Sequence, residues 1–187
     1  MTLGFVVPVY GQYEIDEQHY IGKAGFWLGP IMPVPGTLLS TTLGVEVGGG
    51  GFFRFNFPSD TLMIEVQASY QKYLAYDIAS LQVIPFGVGL TYKLPIDFSV
   101  DFYVRATGGA AHLTALPSGK TNTLPMANFG LEFSFPTGPG VNVGMRIDYT
   151  FVYESFLSPP AGAVDYKLTD GHFLSFGLML NFDIAAK

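Results

Sequence analysis

Eight stretches of this chain alternate, residue by residue, between large apolar side chains and small or polar ones. In Ser175–Phe182, SFGLMLNF, the apolar members Phe176, Leu178, Leu180 and Phe182 are separated by Ser175, Gly177, Met179 and Asn181. Successive side chains of a strand point to opposite sides, so strict alternation makes a ribbon with one apolar and one polar face. The pattern predicts strands at about 20–29, 39–57, 61–73, 82–94, 97–111, 126–135, 142–153 and 172–183. No segment longer than a turn or two has helical periodicity, and no run reaches the ~18 apolar residues of a membrane-spanning helix.

The direction of the apolar face decides the class of protein. Val143, Met145, Ile147, Tyr149 and Phe151 oppose Asn142, Gly144, Arg146, Asp148 and Thr150; Leu62, Ile64, Val66, Ala68 and Tyr70 oppose Glu65, Gln67, Ser69 and Gln71. No charge falls on either apolar face. An eight-stranded barrel has an interior only just wide enough to be filled by side chains or to hold one small ligand. It has no room for all the large apolar residues, whereas the Gly, Ser, Thr and Asn of the opposite face suit it. Charged residues make up 13% of the chain, against ~25% in soluble domains that must cover a wet surface. From Leu174 to Phe182 a strand tilted ~40° rises about 23 Å, close to the ~25 Å apolar band of barrels that cross membranes. The apolar face is therefore expected to point at lipid.

Connections sort by length in the same sense. PSD, LPID and PTGPG are tight turns of Pro, Gly and Asp, and they alternate with the longer GPIMPVPGT, LAYDIAS, LTALPSGKTNT and ESFLSPPAGAVDYKLTDG. Membrane barrels put short turns on the periplasmic side and long loops outside. The reading is all-β: an eight-stranded antiparallel up-and-down transmembrane β-barrel over 18–183. An N-terminal segment, 1–17, reads as an extra strand, a plug or the end of a linker, and 184–187 reads as a tail. A net charge of −6 and a pI near 4.8 argue against a nucleic-acid partner. With no cysteine, disulfides and thiol chemistry are excluded. The start, MTLGFVVPVY, is not expected to be an intact secretory signal.

In these features the chain resembles the OmpA-type eight-stranded outer-membrane barrels of Gram-negative bacteria. The sharpest likeness is the last strand, where Ser175, Gly177, Leu180 and Phe182 fill the polar, glycine, apolar and aromatic places of that family's assembly signal. The family usually stops at the aromatic residue, and this chain continues through DIAAK. The resemblance implies a monomer in the bacterial outer membrane, lipid and lipopolysaccharide around it, and the barrel-assembly machinery as a partner during biogenesis. It implies no cofactor.

Candidate sites follow from the faces. Lys23, Arg54, Lys93, Arg105 and Arg146 point inward, as do Glu46, Glu65, Asp101, Glu132 and Asp148. Five of each sign argues for pairs that plug the lumen rather than for a pore tuned to one ion sign. Turn geometry sets Arg54 opposite Glu65 and Arg146 opposite Glu132, with Asp148 or Asp101 completing a network with Arg105. Aromatics should ring the membrane edges: Phe55, Tyr92, Phe98, Phe135 and Phe182 at the short-turn end, Tyr70, Phe151 and Tyr153 at the long-loop end.

No catalytic or metal-binding set emerges. SGKT, Ser118–Thr121, lacks the first glycine of a phosphate loop, and Gly48–Gly51 lacks the strand–loop–helix context of a nucleotide site and reads as a flexible or kinked point in a strand. His19, His112 and His172 have no metal-ligand spacing. Glu154, Asp165 and Asp170 could bind Ca²⁺ but read first as solvated acidic residues. Some barrels of this size are lipid-A deacylases with His and Ser two residues apart, but Leu174 stands two residues after His172. The leading function is a non-enzymatic membrane anchor or interaction protein, with a narrow channel and a lipid-modifying enzyme as alternatives. Ordered interior ion pairs favour the first, a continuous water file the second, and a His–Ser contact near the outer rim the third.

Overall fold

A computed structural model describes residues 20–59, 61–75, 79–96, 98–153 and 170–185. The segment 1–17, His19, Glu154, Asp165 and the last two residues lie outside that range. Eight antiparallel strands form a closed barrel in chain order: β1 (Tyr20–Pro33), β2 (Glu46–Ser59), β3 (Leu62–Leu74), β4 (Ser80–Lys93), β5 (Asp101–Leu116), β6 (Lys120–Gly138), β7 (Val141–Val152) and β8 (Gly171–Ala185).

Residue pairing fixes the shape. From Gly22 the partners run through Phe55, Ile64, Leu90, Ala106, Phe129, Tyr149 and Leu174, and back to Met32, ten residues farther along β1. Eight strands with that stagger tilt by ~40° and enclose a backbone radius of roughly 8 Å. The outward positions of β2 from Phe57 to Val47 then rise about 25 Å, the height of a membrane's apolar band. Phe26, Phe53, Val88, Phe129, Met145 and Leu178 are among many large apolar side chains left exposed outside, while Arg54, Arg105, Arg146, Glu65, Glu132 and Asp148 are buried inside. That is the reverse of a water-soluble protein, and only a hydrocarbon surround makes it stable.

Several boundaries differ from the sequence reading. Residues 39–41 form a short 3-10 helix and Leu43 a lone bridge to Ala75, so β2 begins only at Glu46. β5 and β6 run on through most of LTALPSGKTNT and meet in a three-residue turn, where Gly119 takes φ +67°. SGKT is that hairpin tip, not a long loop. At the other end Pro139–Gly140 closes β6 onto β7, with Gly140 at φ +70°, a conformation only glycine adopts freely. β8 runs two residues past the expected 183, so Ile184 and Ala185 belong to the wall. Gly48–Gly51 pairs without a register break to Gly29–Phe26, so the glycines mark no β-bulge.

A sheet closed on itself leaves no unpaired edge, and detergents reach such backbone bonds poorly. Unboiled protein is expected to migrate differently from boiled protein on a denaturing gel and to give β-type circular dichroism. Monodisperse behaviour without detergent would contradict the lipid-facing belt.

Candidate functional site

The lumen is filled in two layers. The lower layer is a cage of three arginines and three carboxylates. Arg54, on β2, donates Nε–H to Glu65 across the β2–β3 hairpin at 2.7 Å. Its two terminal nitrogens reach across the barrel to Glu132 on β6, one of them at 2.8 Å. Glu65 also accepts from Arg105 and, at 2.7 Å, from the Thr91 hydroxyl. Arg105 donates in turn to Asp148, which accepts the Nε–H of Arg146 at 2.6 Å. Every one of these six side chains is almost completely buried. Charge-assisted, partly bidentate bonds of this kind hold a fixed geometry, and Phe52, Trp27 and Tyr103 wall the cage with rings stacked under Arg54 and Arg146.

One expected contact is not made. Arg146 and Glu132 are Cα partners, yet the Arg146 guanidinium turns to Asp148 and, at 2.9 Å, to Gln67. The carboxylate of Glu132 is already taken by Arg54 from the opposite wall. The remaining inward charges do not join the cage. Lys93 pairs with Asp101 at 2.7 Å, and Lys23 with Asp183 at 3.3 Å, at the short-turn mouth. Asp101 therefore does not serve Arg105. Asp183, the last residue of the expected final strand and not among the expected inward charges, is the inward acid that the Lys23 register demands. Glu46, beside the long-loop end, makes no ion pair among the described residues.

The upper layer is apolar, which the polar-lumen expectation missed. Ile31, Tyr73, Val83, Ala111, Leu124, Val152 and Phe173 are buried inside the barrel and form one cluster. The Tyr73 and Phe173 rings lie 4.9 Å apart, and Leu39 and Leu43 cap the same cluster. Between the layers a polar cavity of about 10 Å³ is lined by residues including Gln67, Asn128, Arg146 and Thr150, which is room for about one water molecule.

The assembly-signal residues divide between the faces of β8. Ser175 and Gly177 point inward and Leu180 and Phe182 outward. Gly177 has a packing reason: a Cβ there would fall 2.7 Å from Trp27 Cε3. Gly50 does the same on the other side, its Cβ position 2.8 Å from the indole nitrogen. Pairing and tilt set Phe55, Tyr92, Phe135 and Phe182 within about 4 Å of one height near the short turns. Phe98 instead sits in a bend before β5, edge-on to Phe102 at 6.4 Å, and Phe102 stands at the level expected of Phe98. Near the other rim, Tyr70 is exposed on β3, and Phe151 packs on Tyr153 and on His172, which is hydrogen-bonded to the Tyr149 hydroxyl at 2.6 Å. His112 faces outward beside Thr123.

No protein-family model matches this chain, and no curated protein sequence does. Solved structures share its architecture. Neisserial surface protein A aligns with a TM-score of 0.57 at 12% identity, over 88% of this chain and 96% of that one. The outer membrane protein OprG of Pseudomonas aeruginosa gives 0.57 at 12% identity, over 90% and 98%. At such identity the likeness concerns the fold alone: the chain is an eight-stranded antiparallel β-barrel built like those of outer-membrane proteins.

Proposed function

We propose that this barrel is a monomeric, closed anchor of a bacterial outer membrane, non-enzymatic, whose contacts are made by its external loops or periplasmic end. The observation that carries the reading is the two-layer lumen. Solute would have to break buried ion pairs and then pass an apolar cluster, and the cavity described between them has room for about one water molecule. A protein that transmits nothing through its axis acts at its surfaces. The apolar outer belt, whose one basic residue among those described, Lys72, stands toward the long-loop end, and the short turns at the terminal end support insertion with the long loops outward.

Planar-bilayer recording of the refolded chain tests this. The expected result is a silent membrane across the voltage range, and steady unitary currents would overturn the closed-anchor reading in favour of a narrow channel. The likeness of Ser175, Gly177, Leu180 and Phe182 to an assembly signal leads to a second expectation. Phe182→Ala should lower the amount inserted in cells several-fold while changing the stability of refolded barrel by only about 1 kcal/mol, since the ring is lipid-exposed. Unchanged surface yield would show that assembly does not read this residue.

A further inference from the structure

The lipid-facing wall of β1–β4 is not smooth. Ala24, Gly51 and Ala68 floor a hollow of about 590 Å³ whose sides include Phe26, Phe53 and Phe86. Gly51 pairs with both Phe26 and Ala68, and Ala24 pairs with Phe53. From Ala24 to Ala68 is thus two strands across and two residues up, and on a wall tilted ~40° that displacement lies close to the barrel axis. The hollow is an upright groove, roughly 11 Å long, parallel to the chains of surrounding lipid.

A cation stands above it. Lys72 is on β3, four residues beyond Ala68 toward the long-loop end and on the same outward side, about 13 Å along the strand. Its side chain is exposed, Tyr70 lies between it and the groove, and Gln82 is its partner on β4. Among the described residues it is the one Lys or Arg on the lipid-facing side of a strand. The other basic side chains are Lys23, Arg54, Lys93, Arg105 and Arg146 inside, and Lys120 at the hairpin tip.

We propose that Lys72 and this groove bind one membrane lipid with an anionic phosphate headgroup. The phosphate meets Lys72 Nζ, with the Tyr70 hydroxyl and Gln82 amide at hand, and one acyl chain descends over Ala68, Gly51 and Ala24. Lipid tails are as apolar as the groove, so there is no hydrophobic gain; selectivity comes from packing against small residues and from complementary charge at headgroup level. The inference rests on the membrane-spanning reading of the barrel.

Electron spin resonance of the refolded full chain in phosphatidylcholine bilayers tests it, with trace spin-labelled phosphatidylglycerol compared with spin-labelled phosphatidylcholine. The motionally restricted population should prefer phosphatidylglycerol about five-fold. Lys72→Ala should bring the ratio to about one, and Gly51→Leu, which fills the groove, should lower it likewise. A Cβ on Gly51 meets only the Gly25 carbonyl oxygen, at 3.6 Å, so that variant keeps its fold; Gly108→Leu, outside the groove with nothing within 4 Å of its Cβ, should leave the ratio unchanged. Excess inorganic phosphate at matched ionic strength should also leave it unchanged, and loss of preference there would assign the site to free phosphate. A wild-type ratio of one, or a preference untouched by Lys72→Ala or Gly51→Leu, overturns the proposal. If no lipid of either headgroup is restricted, the membrane-spanning reading itself falls.

Discussion

Glu65→Ala is expected to lower the unfolding free energy of the barrel by about 3–5 kcal/mol, because it strips a partner from two buried guanidinium groups at once. Glu65 accepts from Arg54, Arg105 and Thr91 in a space sealed from water. Replacing a whole pair by apolar residues should cost less than removing one member, since no charge is then left bare. The network also makes a sharper statement about who pairs with whom. In urea unfolding from vesicles, a double-mutant cycle on Arg54 and Glu132 should show strong coupling, and one on Arg146 and Glu132 much less. The opposite order would mean that arginines follow backbone pairing rather than the bonds described.

The second large effect belongs to the apolar layer. Phe173→Ala should destabilise by about 3–5 kcal/mol, the range for emptying a buried aromatic site, since this ring is almost completely buried and stacked on Tyr73. It should not by itself open the barrel, because the ion-pair cage still crosses the lumen. Arg146→Ala alone should also stay closed. The refolded double variant should conduct in a planar bilayer. Equal currents from Phe173→Ala alone would show that the apolar cluster is the whole seal.

What the sequence revealed of this molecule was what is local. Period-2 alternation marked the strands and their faces because a lipid-facing side and a cramped polar side differ sharply at each step, as at Phe176, Gly177 and Leu178. It failed where both faces are apolar. Leu113 and Leu124 fall in a stretch that read as a loop, and Ile31 lies past the expected end of β1, while Tyr73, Val83, Ala111, Val152 and Phe173 sit at the ends of expected strands on the face taken as polar. Ion pairs split the same way. Arg54–Glu65 spans one hairpin and follows from counting back from a turn. Arg54–Glu132 crosses the lumen and depends on the ten-residue stagger of the closed ring, which no segment contains. Once Arg54 holds Glu132, Arg146 must look elsewhere, and Asp148 lies two residues along its own strand. Asp183 was missed for a simpler reason: it follows the terminal aromatic residue, at the very end of the expected strand, where no further alternation marks its face.

Trp27 is the single tryptophan of this chain, and its place in the ring gives it a use beyond packing. The indole lies inside the barrel on β1, over Gly177 of β8 and Gly50 of β2, with the Arg146 guanidinium of β7 at 5.3 Å. Two of those neighbours, on β7 and β8, arrive only from the far end of the polypeptide. The indole therefore leaves water for its final dry, cationic surroundings when the first strand meets the last. Intrinsic fluorescence of the unlabelled chain is an optical marker of that one event, the zipping of the terminal seam, separate from the earlier growth of hairpins that circular dichroism records.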